Sequence, residues 1–140
     1  MFKYMTRRQA RELAFELIFE WEFCGETVDE MVELATEARD IEIDEFTLEL
    51  VSGVILHIKE IDDLIFSHSH KWKKGRTSVA ALSVLRLAVY EMKFVENIPI
   101  SVSINEAVNL GKAYGDVKDS SYINGVLSAI EKKYCTGEKA

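Results

Sequence analysis

Apolar residues recur along this chain at helical spacing, and one stretch is apolar on almost every side. From Val79 to Val95 the only formal charges are Arg86, Glu91 and Lys93. The run is too short to span a bilayer, and a helix that is apolar all round belongs at the buried centre of a bundle. The remaining segments read as amphipathic helices that need such a partner.

Thr6-Arg7-Arg8-Gln9 fits a capping box, in which the threonine hydroxyl accepts a free backbone N–H and Gln9 reaches back. The helix it opens carries Ala10, Leu13, Ala14, Leu17, Ile18 and Trp21 on its core face, and Gly25 closes it. Phe15 and Phe19 fall with Arg8 and Arg11 on a different stripe, away from the centre of that face. Thr27-Val28-Asp29-Glu30 is a second box, for a short helix with Met31, Leu34 and Ala38 inward and an acidic outer side. Asp44 caps a long helix with Phe46, Leu50, Val51, Val54, Ile58, Ile61 and Ile65 inward, running to about His68. Gly53 within it marks a close helix contact or a bend. Ser67 to Ser78 is a connection of shifted composition, and Asn97-Ile98-Pro99 ends the central helix. Ser103-Ile104-Asn105-Glu106 reads as a third capping box, and Asp119 or Ser120 as the cap of a last helix with Tyr122, Ile123, Val126, Leu127 and Ile130 inward. The pattern predicts an all-α bundle of about seven helices. Residues 1-140 form a single domain in this reading, with helical halves of roughly 1-70 and 71-140.

Composition agrees. Of 140 residues, 48% are apolar and 29% charged, with a single proline and few glycines, which disfavours a turn-rich β fold. No segment resembles a signal peptide or a membrane span, so a cytoplasmic protein is expected. Cys24 and Cys135 lack metal or redox spacing and read as reduced thiols. The net charge of −7 is unevenly spread. Between Glu26 and Phe66 thirteen acids face two bases, whereas Lys3, Arg7, Arg8 and Arg11 gather at the start and Lys71, Lys73, Lys74 and Arg76 in the middle. A polyanion responds to the local field, so the basic clusters matter more than the total.

Candidate chemistry is sparse. His57, His68 and His70 have no metal-ligand spacing, and neither a phosphate loop nor a nucleophile elbow is present; no enzyme, metal or cofactor is expected. Arg86 and Glu91 interrupt the most apolar helix and call for internal partners, with Glu106 a candidate for Arg86. The first helix carries the strongest signal. Arg7, Arg8 and Arg11 sit in first turns whose dipole does not favour cations, so their use lies outside the helix. Guanidinium groups beside Phe15 and Phe19 suit single-stranded RNA, charges holding phosphates while a base stacks.

Four blocks then become recognisable: Arg7-Arg8-Gln9-Ala10-Arg11-Glu12; Val84-Leu85-Arg86-Leu87-Ala88-Val89-Tyr90-Glu91; Ile98-Pro99 followed by Ile104-Asn105-Glu106-Ala107-Val108; and Tyr122-Ile123-Asn124-Gly125-Val126-Leu127. In this order and spacing they resemble the NusB family of bacterial transcription antitermination factors over nearly the whole chain. The resemblance implies a two-part helical bundle without catalysis. It implies a heterodimer with NusE, a small-subunit ribosomal protein, that binds boxA RNA of nascent ribosomal RNA leaders and acts indirectly on the RNA polymerase elongation complex. It allows a homodimer in the absence of NusE. By position it assigns RNA contact to Lys3, Arg7, Arg8, Arg11, Phe19 and Tyr122, and NusE contact to the region of Arg76, Ala81 and Leu82. The chain departs from the family pattern at Phe19, often tyrosine, and at Lys74-Gly75-Arg76-Thr77 and Ala81-Leu82. Two other readings remain: an accessory RNA-binding domain serving a separate ribosomal-RNA methyltransferase, and a protein-only interaction bundle whose acidic face docks a basic partner.

Overall fold

The computed structural model describes residues 6–25, 27–39, 43–69 and 78–134. Among them are α1 (Arg7–Cys24), α2 (Val28–Arg39), α3 (Glu45–Leu56), α4 (Ile58–Ser67), α5 (Val79–Phe94), α6 (Ile100–Tyr114) and α7 (Val117–Tyr134), and no strand. The expected all-α bundle is what the chain forms.

α5 lies at the centre. Every residue from Ala81 to Met92 is buried, and the helix packs against α1, α3, α4, α6 and α7. Burying one large aliphatic side chain contributes about 1.5–3 kcal/mol, while an unpaired buried charge costs several. Arg86, in the middle of this helix, and Glu91, towards its end, therefore need partners, and both find them. The Arg86 guanidinium donates from Nε and Nη2 to Asp62, each at 2.9 Å, and from Nη1 to Glu22 at 2.6 Å. Burial opposes its charge, but the carboxylates of Asp62 and Glu22 outweigh that and raise its pKa. The expected partner Glu106 is engaged elsewhere, as described below.

Caps set the helix ends. Gln9 N–H donates to Thr6 Oγ1 at 3.1 Å and Thr6 N–H to Gln9 Oε1 at 3.0 Å, the reciprocal box read from the sequence. Gly25 ends α1 with φ 63°, a left-handed conformation that costs a glycine little. Thr27 accepts from Glu30 N–H at the start of α2, and Asp44 accepts from Phe46 N–H at the start of α3. Asn97, at φ 66°, makes the turn before Pro99.

Four expectations are corrected. The long third helix is two, α3 and α4, broken at His57, whose ring stacks on Phe94 with centroids 4.3 Å apart. Gly53 is not the break but the close contact: a Cβ there would stand 2.1 Å from the Tyr90 ring. The Ser103–Glu106 box starts nothing, because α6 already begins at Ile100; Ser103 is buried in mid-helix and donates to Glu91 at 3.3 Å. The last helix is capped earlier, by an Asp116–Asp119 pair in which each carboxylate accepts the other's backbone N–H. In α2, Met31 is buried as expected but Leu34 is half exposed, and the Ala38 side chain lies outside the described residues.

Candidate nucleic-acid interface

The first turns of α1 lie among α3, α5 and α6, and its three arginines fan out to one helix each. Arg7 is exposed, its guanidinium 3.8 Å from the centroid of the Phe46 ring of α3. Arg8 is 67% exposed and reaches α6, where Nη2 stands 3.2 Å from Glu106 Oε1 and Nε 3.3 Å from Oε2. That hydrogen bond and the charge of Glu106 raise the Arg8 pKa. Arg11 turns inward to α5. It is 5% exposed and forks onto Glu91, itself 2% exposed, through contacts of 2.8, 2.9 and 3.1 Å.

Arg11, expected at the RNA, is here half of an internal ion pair. A guanidinium with this geometry has its charge matched before any RNA arrives. The sequence held a signal for the pairing, an acid at Glu91 in the most apolar helix, but not which base would meet it.

Below Arg8 on the same helix runs a row of rings. Phe15 and Phe19 have centroids 6.1 Å apart, Phe19 and Phe23 5.2 Å, and Tyr114 of α6 lies 4.7 Å from Phe15. Phe15, expected on the outer stripe, is buried because Tyr114 covers it. Phe19 is half-buried and Phe23 exposed. Burial, then the charges of Glu12 and Glu16, raise the Tyr114 pKa.

Tyr122 lies elsewhere, on α7. Its hydroxyl shares a hydrogen bond with Ser69 at the end of α4, beside an open groove of about 690 Å³ lined by His68, Val117, Lys118 and Val126. Among the described residues no contact joins it to Arg7 or Arg8. Ala81 and Leu82, expected in the region that contacts NusE, are buried in α5. Lys3 and Arg76 lie outside the described residues, as do His70 and Cys135. Phe23 and Tyr114 were not singled out by sequence; Phe23 repeats the four-residue step from Phe15 and Phe19, and that repeat was the available signal. Among the described residues no group of three His, Cys, Asp or Glu side chains is placed to hold a metal, and no helix is long and apolar enough to cross a membrane.

Fold and surface together define a small helical bundle with an arginine–aromatic face. Residues 8–132 match the model of the NusB family. The chain is 40% identical to the transcription antitermination protein NusB of Geobacillus kaustophilus over 127 residues, covering 91% of this chain and 96% of that one. It is 42% identical to that of Myxococcus xanthus over 131 residues, covering 89% and 94%. Among solved structures it is similar to NusB of T. maritima, with a TM-score of 0.81 and 33% identity, covering 95% of each chain. It is also similar to a chain of a crystal structure of antitermination factors NusB and NusE in complex with double-stranded RNA, with a TM-score of 0.80 and 32% identity over 93% of this chain and all of that one. The chain belongs to the NusB family.

Proposed function

We propose that this protein is a transcription antitermination factor that pairs with NusE and binds boxA-type single-stranded RNA of nascent ribosomal RNA leaders. The observation that carries this reading is the pair of exposed guanidinium groups, Arg7 over Phe46 of α3 and Arg8 on the stripe of the aromatic row of α1, in a chain of the NusB family. Arg7 and Arg8 neutralise phosphates, with Lys3 extending the cluster, and Phe19 offers its ring to a base. Single-stranded bases are splayed and free to stack, which suits a row of rings better than a closed duplex does. Tyr122 contributes through its ring face, since its hydroxyl is already engaged with Ser69.

A second reading has one observation in its favour: the RNA in the related NusB–NusE complex is double-stranded. A duplex is recognised by shape and phosphates and leaves the rings unused. Both are tested by titrating the protein, alone and with NusE, against a boxA-type single strand, a scrambled strand and a duplex. Tighter, sequence-dependent binding of the single strand with NusE is expected. Equal affinity for all three would favour the duplex-tolerant reading, and no binding in either condition would remove RNA from the account.

A further inference from the structure

The aromatic row does not stop at Phe19. Phe23, one helical turn further along, is 65% exposed, and Tyr114 beside the row is 42% exposed. Rings four residues apart rise about 6 Å along a helix, against about 3.4 Å between stacked bases of a nucleic-acid strand. A strand following the row therefore separates its bases, as single-stranded recognition requires. Phe19 and Phe23 meet edge to face at 63°, which leaves most of the Phe23 ring in solvent.

The charges beside the row say which part of a nucleotide fits. Glu12, Glu16 and Glu20 recur at four-residue spacing along its flank, and the Tyr114 hydroxyl donates to Glu16 at 3.5 Å. Burial raises the Tyr114 pKa most, and the charges of Glu12 and Glu16 add to it. Carboxylates line this flank, which suits an uncharged base better than a phosphate. Cations serve the backbone at the start of α1, and rings serve bases towards its end.

We infer that Phe23, supported by Phe19 and Tyr114, is a second base-stacking site that holds an unpaired nucleobase beyond the one at Phe19. This rests on the RNA reading above. It gives the protein a track directed from the N-terminal turn of α1 to its C-terminal end. Contact at Phe23 is uncharged, so it adds affinity without releasing counterions.

The test uses the full chain with NusE, a boxA-type single-stranded RNA, and versions shortened from either end. Phe23→Ala, at an exposed position in the last turn of α1, is expected to weaken binding of the longest RNA about tenfold. It should leave the salt dependence unchanged and have no effect on the RNA shortened at one particular end. Phe23→Tyr should retain most of the affinity. A 2-aminopurine placed at the base concerned should be quenched by the wild-type protein and not by Phe23→Ala. Loss of RNA binding in Arg7→Ala/Arg8→Ala with no change in Phe23→Ala would overturn the inference and keep the RNA reading. Weaker NusE binding by Phe23→Ala, with RNA affinity unaltered, would make the row a protein contact and overturn it too. Wild-type protein that binds no RNA, or only duplex, would overturn both readings together.

Discussion

Arg8 and Arg11 lie on the same turns of α1, yet one is 67% exposed opposite Glu106 and the other 5% exposed opposite Glu91. The side chains are identical, so the difference comes from where their carboxylates sit. Glu91 lies in the buried helix α5, where Arg11 of α1 and Ser103 of α6 reach it; Glu106 lies on α6, 14% exposed, and meets an arginine that is itself largely in solvent. A buried pair locks helices together, because removing either member strands a charge. A rim pair is screened and contributes little to stability, which leaves Arg8 free to exchange its partner for a phosphate. An arginine-rich motif is thus one part scaffold and one part surface.

The largest expected effect breaks the buried half. Glu91→Ala leaves Arg11 enclosed without its carboxylate and should cost about 3–5 kcal/mol in denaturant unfolding, while Arg11→Met with Glu91→Leu should recover most of it. Arg86→Ala is next. Its partners Asp62 and Glu22 are partly open to water, so the cost should be about 1–3 kcal/mol by the same measurement. Glu106→Gln sharpens the surface half: melting should barely move, while RNA affinity at low salt should rise about two- to fivefold, since Arg8 is released and a repelling charge removed. The smallest effect concerns pH. The hydrogen bond from Lys93 holds the Glu60 carboxyl below the ordinary carboxylate range. A carboxyl lowered in the folded state stabilises above its unfolded pKa, and that contribution is lost as pH falls through the folded value. Lys93→Met should therefore flatten the acid-side fall in melting temperature, by a small amount because both groups are exposed.

How far the sequence carried depended on whether a feature was local. The Thr6–Gln9 box and the Gly25 stop involve residues within a turn, and both were legible. So was α5, because continuous apolarity has one comfortable solution. Partner choice was not. Arg86 and Glu91 announced that buried charges needed mates, but Asp62 comes from α4 and Glu22 and Arg11 from α1, and pairing Arg86 with Glu106 was the plausible error. The Ser103–Glu106 pattern misled for a related reason. Serine and glutamate three apart look the same whether they cap a helix or point from its middle at Glu91 and Arg8. Phe15 and Arg11 sit near the boundary of the core sector, where periodicity is silent and the covering residue, Tyr114 or Glu91, decides.

The central claim is that Arg7 and Arg8 meet RNA phosphates and Arg11 does not. The direct measurement is the slope of log affinity against log salt for a boxA-type single strand. Arg7→Ala/Arg8→Ala should shrink the magnitude of that slope by about 1.4, at about 0.7 per lost phosphate contact. The Arg11→Met/Glu91→Leu protein should keep the wild-type slope. The reverse result, an unchanged slope without Arg7 and Arg8 and a reduced one without Arg11, would contradict the account.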